Sequence, residues 1–148
     1  MSKKVLAVAS GGGHWVQLLR LRPAFAHHEV TFVSTNAAYA KDVDRPLLTV
    51  TDANMNEKLK LLVMFSEMLV HLIRIRPDVV ITTGAAPGFA AITLGRLLGA
   101  KTIWVDSIAN SEELSSSGKQ AGRVAHTWLT QWEHLAKPSG PQFWGAVL

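Results

Sequence analysis

Short apolar runs of β-forming residues alternate with stretches of helical periodicity along almost the whole chain, and this alternation restricts the fold more than any other feature. Residues 4–9, 29–33, 46–50, 78–82 and 101–105 read as strands, and residues 15–21, 56–76 and 88–98 read as helices. Strand–helix–strand units of this length close by right-handed crossovers, which makes the sheet parallel and puts helices on both of its faces. The expected class is α/β, a Rossmann-like parallel sheet flanked by helices, as one domain over residues 1–148. Further along, residues 121–125 read as a short helix, 127–131 as a strand and 143–148 as a last short strand after the loop 137–141. No repeat, low-complexity tract or shift in composition marks a linker, and 148 residues of which 48% are apolar can bury a core without metals or disulfides.

Composition narrows the function classes. Fifteen Lys and Arg against eleven Asp and Glu leave a net charge of +4, a modest excess that suits an anionic surface or a phosphorylated ligand and does not favour nucleic acid. The absence of cysteine removes disulfide frameworks and thiolate metal sites and fits a reducing, cytoplasmic setting. The apolar run after Lys4 is too short for an export signal. The most apolar stretch, residues 59–75, is interrupted by Lys60, Glu67, His71 and Arg74, so it does not read as a membrane span. Those four residues form one narrow polar stripe, leaving most of the helix circumference apolar. A helix covering a sheet needs one buried face, so the remainder can be covered by neighbouring helices, a partner subunit or lipid headgroups.

In parallel sheets of this kind ligands bind at the carboxyl ends of the strands, where the loops after Ala9, Val33, Thr82 and Val105 converge. Ser10, Gly11, Gly12, Gly13 and His14 follow the first strand and open a helix. Glycines there let backbone N–H groups approach an anion at the positive helix end, although a tight turn without a ligand uses the same residues. Trp15 and Val16 stand where G-x-G-x-x-G needs its last glycine, so a dinucleotide fingerprint is poorly matched. His14 lies in the first helical turn, where the helix dipole favours a neutral ring able to accept a proton. It is a candidate general base, or a histidine that only hydrogen-bonds the loop. After the fourth strand, Gly84 and Gly88 bracket a run of small residues, with Pro87 suited to a first helical position. Asp106 and Ser107 end the fifth strand and are candidates for sugar hydroxyls, and Asp106 is also a candidate catalytic residue. Lys119, near an expected helix start, is a candidate phosphate ligand, while Ser and Gly before a helix are also ordinary capping residues.

Several chemistries are excluded. The histidines show no metal-ligand spacing, so no metal is expected. Neither a nucleophile elbow nor a P-loop is present. No acidic residue follows the second strand to hold a ribose, since Ser34, Thr35 and Asn36 stand there, which counts against a nicotinamide-dependent reductase; no cofactor is expected.

Three segments carry a family resemblance: SGGGHWVQLLRL, TTGAAPGFAAITLGRLLGAKTIWVDS and SSSGKQAGRVAHTWLTQWEHL. Together they resemble the membrane-recruiting subunit of the two-component N-acetylglucosaminyltransferase of N-glycan assembly and its bacterial exopolysaccharide and capsule counterparts of the PssD and CpsF type. The resemblance implies the N-terminal, acceptor-binding half of an inverting GT-B glycosyltransferase, active only with a short donor-binding subunit that brings the UDP-sugar. The implied acceptor is a polyprenyl-diphosphate-linked saccharide. By position, Gly12, Gly13 and His14 line the acceptor side, Gly84 and Gly88 shape the cleft, and Asp106 stands where many relatives have Glu. Relatives often have Pro at the position of Glu133. The eukaryotic subunit has an N-terminal membrane helix that this sequence lacks, so peripheral attachment to the inner face of the cell membrane through basic and apolar surface is implied instead. A rival is a structural recruiter that contributes no reacting group.

Overall fold

The computed structural model describes residues 2–147. Seven parallel strands, β1 (Lys4–Val8), β2 (Glu29–Ser34), β3 (Leu47–Thr49), β4 (Val79–Thr82), β5 (Lys101–Val105), β6 (Thr127–Thr130) and β7 (Gln142–Phe143), form one sheet in the order β3-β2-β1-β4-β5-β6-β7. The helices are α1 (Gly13–Arg20), α2 (Lys58–Ile75), α3 (Ala85–Leu97) and α4 (Ser116–Ala121). β1 pairs with β2 from Lys4↔Glu29 to Val8↔Val33 and with β4 from Val5↔Val79 to Val8↔Thr82, so the strand order reverses at the β1–β4 seam.

Alternation along β1 divides the core, because successive side chains point to opposite faces of a sheet. Leu6 and Val8 join Val33, Val80 and Trp104 under α2 and α3, where Met64, Met68, Leu72 and Ile92 are buried. Val5 and Ala7 join Phe32 and Ile81 under α1, against Trp15 and Leu18. α3 is rich in small residues because it lies almost on the sheet: a Cβ on Gly95 would come within 2.9 Å of Val80 Cγ2, and one on Gly88 within 2.1 Å of Thr82 Oγ1.

The end of the chain differs from expectation. A helix over 121–125 is not found; α4 runs Ser116–Ala121, because the Ser115 hydroxyl accepts the Gly118 N–H and starts the helix there. The final strand is the two-residue β7. Gly145 turns the chain away with φ of 120°, and Val147 gives its N–H to the Gln131 side chain, while Leu148 lies outside the described residues. Pro87 is the third residue of α3, a place still compatible with its missing N–H since the first-turn donors have no intrahelical acceptor. An unanticipated 3-10 segment, Ala37–Asp42, follows β2, with the Asn36 side chain accepting the Ala38 N–H.

Candidate functional site

β1 and β4 are neighbours whose chains depart to opposite faces of the sheet, β1 into α1 and β4 into α3, which opens a crevice at their carboxyl ends. Gly12, with φ of 67° and ψ of −132°, makes the turn from β1 into α1 in a conformation that side chains rarely adopt. A Cβ on Gly12 or Gly13 would meet nothing within 4 Å, so these backbone atoms border open space rather than packed protein. Half-buried Ser10 precedes them. Gly11 is packed by Tyr39, whose hydroxyl lies 3.0 Å from where a Cβ would sit. The first-turn N–H groups of α1 have no intrahelical acceptor and face this loop.

The two glycine loops lock together through His14. Its Nδ1 donates to the Thr83 carbonyl at 3.0 Å, and the Thr83 hydroxyl donates to the His14 carbonyl at 2.6 Å. A carbonyl only accepts, so Nδ1 carries the hydrogen and Nε2 is left as the ring atom able to take a proton. Gly84, at φ of 129°, leaves room for the imidazole: a Cβ there would stand 3.0 Å from His14 Cε1 and 3.1 Å from Nδ1. The Gly84 N–H is held by Thr82 Oγ1 at 3.1 Å, and Thr82 lies beneath Gly88. His14, Gly12, Gly13, Gly84 and Gly88 are thus brought to one seam.

The residues after β5 have a different arrangement. Asp106 is buried and accepts four hydrogen bonds, from Trp104 Nε1 at 3.0 Å and Ser115 Oγ at 2.7 Å on Oδ1, and from Asn110 Nδ2 at 3.2 Å and Ser115 N at 3.1 Å on Oδ2. Gly118 has no room for a Cβ, which would fall 2.3 Å from Oδ1. This carboxylate is turned into its own loop, where Trp104, Asn110 and Ser115 hold both of its oxygens. Ser107 is also buried, its hydroxyl accepting from Gln17 Nε2 at 3.0 Å and Ala109 N at 3.2 Å. Lys119 is exposed and pairs with Glu113 at 2.8 Å, an ion pair that holds the Glu113 carboxyl below the usual carboxylate range. Among the described residues no cluster of His, Asp or Glu could hold a metal ion.

Sequence reading assigned no role to Gln17, Gln131, Trp15 or Tyr39. Gln17 lies three positions after His14 on α1, and its buried amide donates to Ser107 and accepts from the Ile108 N–H at 3.1 Å and from Gln131 Nε2 at 2.6 Å. Gln131, at the end of β6, also donates to the Asp106 carbonyl at 3.0 Å, so the two amides tie α1 to the ends of β5 and β6. The signal was a lone amide on the inward side of a helix otherwise buried through Trp15 and Leu18. Trp15 stacks on Tyr39 at 4.8 Å and donates its indole N–H to Asp42 at 3.0 Å, while Tyr39 Oη accepts the Gly12 N–H at 3.0 Å. Only the three-dimensional fold joins these two segments.

No protein-family model matches the chain, and no curated protein matches its sequence. Solved structures do match its fold. MurG of Acinetobacter baumannii aligns with a TM-score of 0.73 at 17% identity, over 98% of this chain and 45% of its own. The UDP-N-acetylglucosamine 2-epimerase from Rickettsia bellii gives 0.70 at 15%, over 90% of this chain and 40% of its own. The Streptomyces sp. SF2575 glycosyltransferase SsfS6 gives 0.54 at 17%, over 70% and 39% respectively. The chain spans less than half the length of each of these proteins. Its architecture is that of a Rossmann-like GT-B half-domain, in agreement with the class expected from strand–helix alternation.

Proposed function

We propose that this chain is the acceptor-side half of a two-component inverting glycosyltransferase, which moves a sugar from a UDP-sugar to a polyprenyl-diphosphate-linked saccharide in exopolysaccharide or capsule assembly. The observation that carries the proposal is the His14–Thr83 latch, which seats an imidazole whose Nε2 has no hydrogen-bond partner among the described residues beside an open glycine loop and a helix N-terminus. Fold likeness to glycosyltransferases and to a UDP-sugar epimerase is consistent with nucleotide-sugar chemistry. The division into two polypeptides rests on the family resemblance.

In this reading the acceptor diphosphate lies against the Gly12–Gly13 backbone and the positive end of α1. An acceptor hydroxyl approaches His14 Nε2, which takes its proton as the oxygen attacks the anomeric carbon. The new bond is from that carbon to the acceptor oxygen, the broken one is to the donor phosphate oxygen, and UDP leaves on the opposite side, held by the partner. Asp106, Gln17 and Gln131 keep the neighbouring loop in place and touch no reacting atom.

The test is reconstitution with the donor-binding subunit, UDP-sugar and lipid-linked acceptor. His14→Ala at saturating partner should lower turnover by about 10²- to 10⁴-fold, the usual contribution of a positioned base. A rate near that of the unaltered chain would reject the base and select the structural recruiter, a reading that the internal engagement of Asp106 keeps in contention. Turnover without any partner would reject the two-component reading.

A further inference from the structure

The open glycine loop takes one side chain from a segment 27 positions further along the chain. Tyr39, the single tyrosine of the sequence, stands half-buried in the 3-10 segment Ala37–Asp42 after β2. Its hydroxyl oxygen accepts the Gly12 N–H at 3.0 Å, and Gly11 makes that approach possible, since a Cβ there would stand 3.0 Å from the same oxygen. The phenol therefore reaches the rim of the open space beside Gly12 and Gly13, where a Cβ would meet nothing within 4 Å.

The ring is fixed within the chain itself. It lies parallel to Trp15, with centroids 4.8 Å apart and planes at 7°. The Trp15 indole donates to Asp42 Oδ2 at 3.0 Å, Arg22 donates to the Asp42 carbonyl at 3.1 Å, and the Asn36 side chain accepts the Ala38 N–H at 2.9 Å. A side chain held in this way loses little freedom when a ligand arrives.

A phenol can both accept and donate a hydrogen bond. The Tyr39 oxygen already accepts from Gly12, and among the described residues no acceptor takes its hydrogen. An O–H whose oxygen accepts an N–H is polarised and donates more strongly. Gly12 has given its N–H to the phenol, so it reaches an anion on this loop only through that hydroxyl. The first-turn N–H groups of α1, which have no side-chain cap, are the backbone donors left beside it.

We propose that the Tyr39 hydroxyl is a further ligand of the acceptor diphosphate, donating its hydrogen to a phosphate oxygen beside the Gly12–Gly13 backbone. Tyr39 then contributes to acceptor binding and takes no part in the proton transfer at His14. That the anion belongs to a diphosphate acceptor rests on the function proposed above; the unused donor at the glycine loop is read from the hydroxyl itself.

The first probe is inorganic pyrophosphate, titrated into the full chain without partner or sugar. With one tyrosine in the sequence, a sample isotopically labelled at the tyrosine ring Cζ reports Tyr39 alone. Pyrophosphate should move that resonance to saturation. Tyr39→Phe keeps the stack and removes the hydroxyl, and it should weaken pyrophosphate binding by about tenfold or more, as expected for a lost hydrogen bond to a charged group. In the reconstituted transferase the same variant should raise KM for the lipid-linked acceptor by about tenfold and leave kcat within about twofold. A phenol that only shaped the loop would give the opposite pattern, because a displaced loop would misplace His14 and lower kcat. A tyrosine resonance unmoved by pyrophosphate, equal affinity in the two proteins, or a fall in kcat at unchanged KM would overturn the proposal. Sugar transfer with an unchanged acceptor KM in Tyr39→Phe would reject this contact and leave the proposed function intact. Tyrosine-dependent pyrophosphate binding without any sugar transfer would defeat the proposed function and leave the anion contact standing.

Discussion

Replacing Asp106 by Asn separates a structural carboxylate from a chemical one. The change keeps size and shape but turns one acceptor oxygen into an NH2 group. With the amide nitrogen at the Oδ2 position it meets two donors, Asn110 Nδ2 and the Ser115 N–H. At Oδ1 it meets the Trp104 indole N–H and the Ser115 hydroxyl, whose oxygen already accepts from Gly118. Neither orientation satisfies every donor. Hydrogen bonds to a charged group contribute about 1.5–3 kcal/mol each, and a buried donor left unpaired costs about 1–3 kcal/mol, so the substitution should destabilise the chain by about 3–4 kcal/mol. For a domain of this size that lowers the melting temperature by roughly 6–16 °C, readable by circular dichroism on heating and by the urea midpoint at unchanged m-value. Transfer activity per folded molecule should change little. A variant that melts within about 2 °C of the unaltered chain yet transfers no sugar would refute the assignment and make Asp106 a reacting group.

Two further outcomes follow from the same geometry. Gly84→Ala places a methyl group 3.0 Å from His14 Cε1 at a φ of 129°, so transfer should fall by at least tenfold with only part of the loss recoverable by raising acceptor concentration; full rate would mean that the imbalance of space is absorbed elsewhere. Partial desolvation at the surface, reinforced by Arg96 and Lys101, holds His126 below the usual histidine range, and its Nδ1 accepts the Thr102 N–H at 3.1 Å. The unfolded chain therefore takes this proton more readily, and the stability it confers is complete above about pH 6.5 and declines as pH falls toward the lower folded value. Melting temperatures at successive pH values should show a shallower acid decline for His126→Gln; identical slopes in the two proteins would remove His126 as the cause.

The strands were legible because β1, β2, β4 and β5 are apolar runs whose order follows from right-handed crossovers, and the cleft position follows from that order. The loops were less legible because side chains distant in sequence define them. α4 starts where it does because Ser115 is held by Asp106, nine positions earlier, and hydrophobic periodicity contains no trace of that contact. The Ala37–Asp42 segment has no period of its own and is fastened by Trp15 stacking on Tyr39. Asp106 was visible as a carboxylate at a strand end, but whether it turned toward the crevice or into its loop depended on those same donors. On α2 the sequence showed an apolar circumference, and only the sheet decides which half is covered.

The position of β1 also governs the order in which the fold can be completed. On one side of it, β2 and β3 close over short stretches of chain; on the other, β4, β5 and β6 are consecutive neighbours. The two halves meet only when β4 docks beside β1, and His14 and Thr83 are 69 positions apart. Closing a loop of that length costs on the order of 4 kcal/mol in chain entropy before its contacts form. As the polypeptide emerges during synthesis, the glycine turn can therefore assemble early with β1 and β2, but the imbalance between its early appearance and the late arrival of β4 leaves His14 without its carbonyl partner. The latch closes only once β4 docks, so a chain that has not yet placed β4 presents the glycine loop without a seated imidazole.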